Sequence, residues 1–170
     1  MPSHSPDGTT IRAAEPVDVT SVAAIYNHYV THTVVTFEEQ PVSAAEIARR
    51  IDDVRSALLP WLVAEEAGRV VGYAYATMWK ARSGYRFSAE ISVYLAPEDI
   101  GRGIGSKLYD RLFPALQARG IHAAIGGIAL PNEASVALHE KFAMRKVAHF
   151  QETGFKFDRW VDVGYWQRTL

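Results

Sequence analysis

The chain contains no cysteine. It therefore cannot form a disulfide bond, a thiolate metal site or an acyl-enzyme on a cysteine nucleophile. A basic excess is also missing, because 18 Lys and Arg residues face 19 Asp and Glu residues, which gives a formal net charge of -1. Proteins that bind nucleic acid through its phosphates usually carry a strong positive excess, so we expect no nucleic-acid partner.

Long apolar runs are missing as well. No segment approaches the roughly 20 consecutive apolar residues that a membrane helix needs, and the opening stretch MPSHSPDGTT has no apolar signal-peptide core. We therefore expect no membrane partner and a cytoplasmic location. The 170 residues, 48% of them hydrophobic, suit one globular domain. We predict a disordered tail over residues 1–9 and a single domain over residues 10–170.

Hydrophobic periodicity predicts the order β-α-α-β-β-β-α-β-α-β-β. The expected strands are residues 11–14, 61–65, 69–79, 88–95, 122–130, 146–152 and 160–168, and the expected helices are residues 17–30, 43–58, 103–119 and 134–142. The second helix begins at a capping box, Ser43 to Glu46, and continues as the apolar stripe Ile47, Ile51, Val54 and Leu58. This order predicts an α/β (strictly α+β) fold, a mixed and mostly antiparallel sheet with helices on both faces.

A glycine-rich loop precedes the third predicted helix, in the stretch EDIGRGIGSKLYDRL. Its glycines are Gly101, Gly103 and Gly105. Backbone amides at a helix N-terminus bind anions, and glycine lets a phosphate approach the backbone. The spacing does not fit a P-loop, and residues 117–130 contain no acidic residue for a dinucleotide fingerprint. A glycine turn that merely joins a strand to a helix is the alternative.

The loop resembles the R/Q-x-x-G-x-G/A pyrophosphate loop of the GCN5-related N-acetyltransferases, although Ile100 replaces the expected Arg or Gln. Over about residues 10–168 the chain is similar to the phosphinothricin and methionine sulfoximine or sulfone N-acetyltransferase branch. The matching stretches are IYNHYVTHTVVTFEE, PWLVAEEAGRVVGYAYATMWKARSGYRFSAEISVYL, LPNEASVALHEKFAM and FKFDRWVDVGYWQ. The resemblance implies a six- or seven-stranded sheet with a splayed central strand pair, acetyl-CoA as acetyl donor without a metal, a homodimer, and a role in antibiotic or herbicide resistance.

The resemblance also implies a cofactor site. The backbone amides of Val93 to Leu95 would pair with the pantetheine arm and the acetyl carbonyl, and the amides of Gly101 to Ser106 would hold the pyrophosphate. Arg102 and Lys107 would add charge near the phosphates or remain solvated surface residues. The residues expected to bind the cofactor are Val93, Tyr94, Leu95, Gly101, Arg102, Gly103, Ile104, Gly105, Ser106, Asn132 and Ser135.

Two titratable residues are expected to do the chemistry. Glu90, in the motif SAE, corresponds to the catalytic Glu of the branch and would deprotonate the amine, directly or through water; alternatively it is a solvated or salt-bridged strand residue. His139, in the pattern Leu-His-Glu-Lys, stands where many relatives carry a general-acid Tyr; alternatively it is a partly buried helix residue. Direct transfer in a ternary complex is the expected route.

The amino-acid acceptor should carry a carboxylate and a polar side chain. The cations expected to meet it are Lys80 and Arg82, in the loop before the Glu90 strand. The full set expected to contact the acceptor is Phe37, Lys80, Arg82, Tyr85, Glu90, Ile91 and Ser92, with residues 33–38 as the opposite wall. The final aromatic residues, Phe155, Phe157, Trp160, Tyr165 and Trp166, are expected in the core or a subunit interface.

Two other functions remain open. The acceptor could be a polyamine, an aminoglycoside or a protein N-terminus, but such acceptors are cationic and Lys80 and Arg82 disfavour them. The chain could also be a catalytically weak acyl-CoA sensor, which Ile100 and the pair Ala143-Met144 would fit and which Glu90 and His139 disfavour. A metal site is not expected, since His28 and His32 have helical spacing but no evident third ligand.

Overall fold

A computed structural model describes residues 8–170. Most of the predicted tail, residues 1–7, lies outside the described residues, and the first strand already begins at Thr9. The strands are β1 (Thr9–Ala13), β2 (Trp61–Glu66), β3 (Arg69–Met78), β4 (Ser88–Leu95), β5 (Ala123–Leu130), β6 (Arg145–Lys156) and β7 (Arg159–Thr169). The helices are α1 (Val19–His32), α2 (Ala44–Ser56), α3 (Ile104–Ala118) and α4 (Glu133–Lys141). The predicted element order is confirmed.

All seven strands form one sheet in the order β1-β2-β3-β4-β5-β7-β6. Neighbouring strands are antiparallel except β4 and β5, which are parallel and joined by α3. A parallel pair requires such a crossover, whereas tight turns suffice for the hairpins. The predicted mixed, mostly antiparallel sheet is therefore confirmed. No helix of the described part of the chain has the length and apolar character needed to cross a membrane.

The helices cover both faces of the sheet. On one face the ring of Tyr94 packs against Tyr26 and Tyr29 of α1, with ring centroids 5.3 Å apart in both pairs. Leu95, the next residue along β4, points to the opposite face and lies beside Gly105 of α3. Successive strand residues alternate between faces, so Glu90, Ser92 and Tyr94 share the α1 face.

The predicted apolar stripes form the core, with one exception in α2. Ile47, Ile51 and Val54 are buried, but Leu58 is 68% exposed and has a φ of 58°. The helix ends at Ser56, so the chain has left the helical path before Leu58, and the next residue, Leu59, enters the core instead. At the other end the Ser43 side chain accepts a hydrogen bond from the Glu46 amide, as the capping motif predicts.

Candidate active site

Strands β4 and β5 are paired only over their first few residues. Their ladder runs from Ser88 with Ala123 to Glu90 with Ile125 and ends there. Beyond this pair the two strands separate, while β4 stays paired with β3 as far as Leu95. The predicted splayed pair is thus present, and one edge of residues 91–95 is left without a neighbouring strand of this sheet. Backbone donors in such a position can bind an extended ligand as an added strand would.

A narrow cleft lies in this fork. Strand β4 lines it on one side, β5 on the other, and α4 closes one end. The lining residues are Val35, Ile91, Ser92, Val93, Tyr94, Gly127, Ile128, Ala129, Asn132, Ser135 and His139. The fold therefore brings together predicted cofactor residues from β4 and α4, which are about forty residues apart in the sequence. Ile91 and Ser92, which were expected to contact the acceptor, lie in the same cleft.

Asn132 links the cleft to the start of α4. Its side-chain oxygen accepts a hydrogen bond of 3.2 Å from the Ser135 amide and so caps the helix. That contact fixes the Asn132 side chain and leaves its side-chain nitrogen, Nδ2, to donate into the cleft. Asn132 therefore has a structural reason for its position as well as the expected ligand role.

The three glycines of the loop have two different physical roles. Gly101 and Gly103 have φ angles of 83° and 78°, in the left-handed region that glycine occupies without strain. Gly105 lies inside α3, where a Cβ would stand 3.0 Å from a methyl carbon of Leu138 in α4. The first two glycines thus shape the loop, and the third allows the two helices to pack closely.

Arg102 is held by carboxylates on the protein itself. Its guanidinium forms ion pairs with Asp99 and, at 2.9 Å, with Glu66. These two carboxylates brace Arg102 against the loop, and its expected contact with the phosphates stays a prediction. Lys107 donates a hydrogen bond of 3.0 Å to the Thr9 hydroxyl. Ile100 is 53% exposed on the same loop.

The sequence did not identify Lys141 as a residue that contacts the end of the glycine loop. It is the last residue of α4, and its ammonium donates a hydrogen bond of 2.9 Å to the Ser106 hydroxyl in the first turn of α3. This places a positive charge beside the amides expected to hold the pyrophosphate. The pattern Leu-His-Glu-Lys contains this lysine, but the pattern alone does not show that it faces the glycine loop.

Glu90 lies at the point where the strands separate. Its side chain is half-buried, and no ion pair found between described residues includes it. Burial raises the pKa of the Glu90 carboxyl above its usual value. A Cβ built on Gly127 would stand 3.5 Å from a Glu90 carboxylate oxygen and 3.1 Å from the Tyr165 ring. The carboxylate and the phenol therefore flank a space that Gly127 keeps open.

A second opening, which Tyr165 lines, has a volume of about 360 Å³. It is an aromatic groove lined by Trp79, Lys80, Ile125, Val147, Ala148, Phe150, Tyr165 and Gln167. The rings of Trp79 and Phe150 both meet Tyr165 edge-on, with centroids 5.7 Å apart. Tyr165, which was expected in the core or a subunit interface, lines this groove because its strand position opposite Gly127 turns it there.

Only Lys80 of the predicted acceptor cations lines this groove. Arg82 and Tyr85 are exposed at the two ends of the short turn that precedes β4 and are not among its lining residues. Phe37 is not among the lining residues of the groove or the cleft; its ring packs against Gly154 of β6, where any Cβ would overlap it. Val35, two residues earlier, lines the cleft instead.

His139 is buried, with 4% of its surface exposed. Its Nδ1 lies 2.7 Å from the Ser135 carbonyl oxygen and its Nε2 lies 3.0 Å from the Tyr109 hydroxyl. A carbonyl can only accept, so Nδ1 carries the proton and Nε2 accepts from Tyr109. Burial lowers the pKa of the His139 ring, which favours this neutral form. Gly126 makes the arrangement possible, because a Cβ there would stand 2.6 Å from Nε2.

No group of three metal-ligating side chains occurs among residues 8–170. The His28 and His32 rings stack with centroids 4.9 Å apart, and Nδ1 of His32 is within hydrogen-bond distance of the Thr31 hydroxyl and the His28 carbonyl. These contacts account for the helical spacing of the two histidines without a metal.

Comparisons with known proteins point to one family. A family profile described as an acetyltransferase (GNAT) domain matches residues 11–164. A phosphinothricin N-acetyltransferase of Streptomyces coelicolor is 38% identical, over 94% of this chain and 95% of that protein. A methionine sulfoximine and methionine sulfone acetyltransferase of Salmonella typhimurium is 35% identical, over 95% of this chain and 94% of that protein. A phosphinothricin acetyltransferase from Sinorhizobium meliloti, solved in complex with acetyl-CoA, superposes with a TM-score of 0.92 at 38% identity, covering 96% of this chain and 89% of that one.

Proposed function

The chain belongs to the GCN5-related N-acetyltransferase (GNAT) family and is an acetyltransferase; from that premise we propose that it transfers the acetyl group of acetyl-CoA to the α-amino group of a small amino-acid analogue. The expected acceptors are of the phosphinothricin, methionine sulfoximine or methionine sulfone type. The observation that carries this proposal is the position of Glu90. Its carboxylate lies beside Gly127, which lines the cleft suited to an extended cofactor, and across that glycine from Tyr165, which lines the aromatic groove suited to an acceptor.

Acetyl-CoA supplies the acetyl group as a thioester, and the chain offers residues that fit its parts. The separated edge of residues 91–95 can pair with the amide-bearing pantetheine arm. The loop from Gly101 to Ser106, with Lys141 beside it, offers backbone amides and a cation to the pyrophosphate. Asn132 and Ser135 lie between these two parts of the site.

Transfer by direct attack needs a neutral amine. Glu90 takes the proton that the amine loses as its nitrogen bonds to the acetyl carbon, and the carbon–sulfur bond then breaks. A base works best when its pKa lies near the operating pH, and the partial burial of Glu90 moves its pKa in that direction. The absence of cysteine leaves no thiol for a covalent acyl-enzyme.

The departing thiolate takes a proton, and we assign His139 to this acid–base step. The ring lines the cleft, but both of its nitrogens are hydrogen-bonded. It can therefore exchange a proton with the cofactor only if the bond to Tyr109 or to Ser135 opens. A His139→Gln variant tests this: loss of one limb of the pH–rate profile supports acid–base work, and an unchanged profile with lowered thermal stability contradicts it.

The acceptor is expected to bind in the aromatic groove. Lys80 at its rim would pair with the carboxylate, while Trp79, Phe150 and Tyr165 would pack on the aliphatic part of the side chain. A cationic acceptor would be repelled by Lys80, which is why we place polyamines and aminoglycosides second.

We also propose a homodimer with the active sites near its interface. The sheet ends in β6, an edge strand, and large apolar side chains near this edge are exposed: Val147, Phe150, Phe155, Phe157 and Trp160. An edge strand with exposed aromatic residues is suited to an interface between chains. Val147 and Phe150 also line the aromatic groove, so a partner covering this face would border the acceptor site.

The proposal is tested by following thiol release from acetyl-CoA with a panel of amines. The panel contains phosphinothricin, methionine sulfoximine and methionine sulfone, with spermidine, an aminoglycoside and a short peptide as rivals. Turnover on the amino-acid analogues is the expected result. Turnover only on the cationic amines would overturn the acceptor assignment, and acetyl-CoA binding without any turnover would indicate a sensor.

A further inference from the structure

Lys156 is a buried lysine that the proposed chemistry does not use. It is the last residue of β6 and only 1% of its surface is exposed. Its ammonium donates a hydrogen bond of 2.8 Å to the Thr36 carbonyl and a longer one of 3.5 Å to the Tyr29 carbonyl in the last turn of α1. It also lies 5.1 Å from the centre of the Phe157 ring. A cation at the C-terminal end of a helix is favoured by the helix dipole.

A buried ammonium is costly unless its environment satisfies it. The ion pairs found among residues 8–170 do not include Lys156, so backbone carbonyls and an aromatic ring replace the usual carboxylate. Burial lowers the pKa of Lys156, and the charges of Glu38 and Glu39 oppose that shift. An apolar side chain would fill the same space without this cost, so the lysine serves its hydrogen bonds and not the packing of the core.

Those hydrogen bonds act on the segment that joins α1 to α2. Val35 in this segment lines the cleft, and Thr36 is the residue whose carbonyl Lys156 holds. The next residue, Phe37, packs on Gly154, two residues before Lys156 on β6. The β6–β7 hairpin therefore holds this segment at two adjacent points, by a hydrogen bond and by a ring.

We propose that Lys156 is a positioning residue of the acceptor site, which ties residues 33–38 to the β6–β7 hairpin and thereby fixes Val35 in the cleft. The inference rests on the proposed function, because the sequence predicts residues 33–38 as the wall opposite the acceptor of that reaction. The hairpin also carries Phe150 and Tyr165 of the aromatic groove. Lys156 thus keeps two walls of the acceptor site, which come from opposite ends of the chain, at a fixed distance.

The test compares Lys156→Met with Arg159→Met. Arg159 is an exposed cation directly opposite Lys156 in the β6–β7 ladder, so its variant removes the same charge from the same hairpin without the anchor. Hydrogen exchange measured by mass spectrometry reports the mobility of residues 33–38, and steady-state kinetics report KM for the acceptor and for acetyl-CoA separately.

For Lys156→Met we expect faster exchange in residues 33–38 and a rise in acceptor KM of about tenfold, as the loss of one hydrogen bond to a charged group implies. The KM for acetyl-CoA should stay within about twofold, because the groups proposed to bind it, the backbone amides of residues 91–95 and of the pyrophosphate loop, lie on other elements than residues 33–38. Arg159→Met should change neither quantity. Unchanged exchange in residues 33–38, or equal changes in both KM values, would overturn the inference.

A second variant covers the case in which Lys156→Met does not fold. Gly154→Ala leaves Lys156 intact and displaces the Phe37 ring from the hairpin. Faster exchange in residues 33–38 supports the premise that the β6–β7 hairpin holds this segment, and unchanged exchange contradicts that premise and with it the role of Lys156. The exchange measurement needs no substrate, so if the wild-type protein turns over no amine the proposed function fails while the result for Lys156 still stands.

Discussion

Glu90 and Ile125 form the last pair of the β4–β5 ladder. The Glu90 carboxylate lies beside Gly127 of the cleft and across it from Tyr165 of the aromatic groove, which Ile125 also lines. A base in this position can reach an amine held in the groove as it attacks a thioester held in the fork.

Replacing Glu90 with Gln should lower kcat by about 10²–10⁴-fold, the usual contribution of a positioned general base. The amide keeps the shape of the side chain but cannot accept the proton, so KM for acetyl-CoA should change little. Glu152→Gln, an exposed residue of β6, is the matched control. Steady-state kinetics with a saturating acceptor provide the measurement, and an unchanged rate and pH profile would refute the assignment of Glu90 as base.

Relative to the wild type, the Glu90→Gln variant should become more stable as the pH rises. Folding raises the pKa of Glu90 above its ordinary value of 4.5, so the folded state binds more protons than the unfolded state between these two values. The favourable contribution is complete below the ordinary pKa and is lost as the pH rises through the folded one. Urea unfolding near pH 4 and near neutrality should show Glu90→Gln improving relative to the wild type at the higher pH. Equal differences at both pH values would contradict a raised pKa.

Two adjacent glycines of β5 should respond differently to alanine. Gly126→Ala places a Cβ 2.6 Å from Nε2 of His139, so the ring must shift, and the free energy of unfolding should fall by about 1–3 kcal/mol. Gly127→Ala places its Cβ between Glu90 and Tyr165 on the exposed side. The loss in kcat, expressed as a free energy of activation, should therefore exceed the loss in the free energy of unfolding. Chemical denaturation and kinetics on both variants distinguish these effects. If both variants lost stability equally, the close approach of His139 would not be the cause.

Ile100→Arg should strengthen coenzyme A binding. Ile100 is 53% exposed on the glycine loop, and an arginine there restores the side chain that the family motif carries. An exposed charge contributes up to about 1 kcal/mol, so Kd should fall about two- to fivefold at low salt and less at high salt. Val17→Arg adds the same charge at a residue that is also exposed but lies in the short turn before α1. Calorimetry should show tighter binding for the first variant only; equal effects would mean that net charge alone is responsible.

The sequence was sufficient for the fold because its local patterns agree with one another. The buried faces of α1 and α3 and the span of β4 follow from hydrophobic spacing alone. Leu58 was misassigned because spacing does not show that the chain leaves the helix after Ser56 and passes through a left-handed residue.

The candidate site was predicted less completely, for a physical reason. Glu90, His139 and the loop glycines could be proposed because short motifs contain them. Tyr165, Lys141 and Lys156 could not, because their roles depend on which strand or helix the fold places opposite them. The sequence around Tyr165 and Lys156 is also rich in aromatic residues, a composition that is equally typical of a core and does not indicate a site.

The short β4–β5 ladder divides the sheet mechanically into two panels. One panel is β1 to β4 and the other is β5, β7 and β6, and only three ladder pairs join them. Polar links also span this division, from Tyr109 to His139 and from Ser106 to Lys141 between α3 and α4, and from Lys156 to Thr36. The two panels are therefore joined by a short stretch of backbone pairing and by these side-chain contacts. A ligand that pairs with the separated edges of β4 and β5 would hold the two panels together, so ligand binding should make the sheet more rigid.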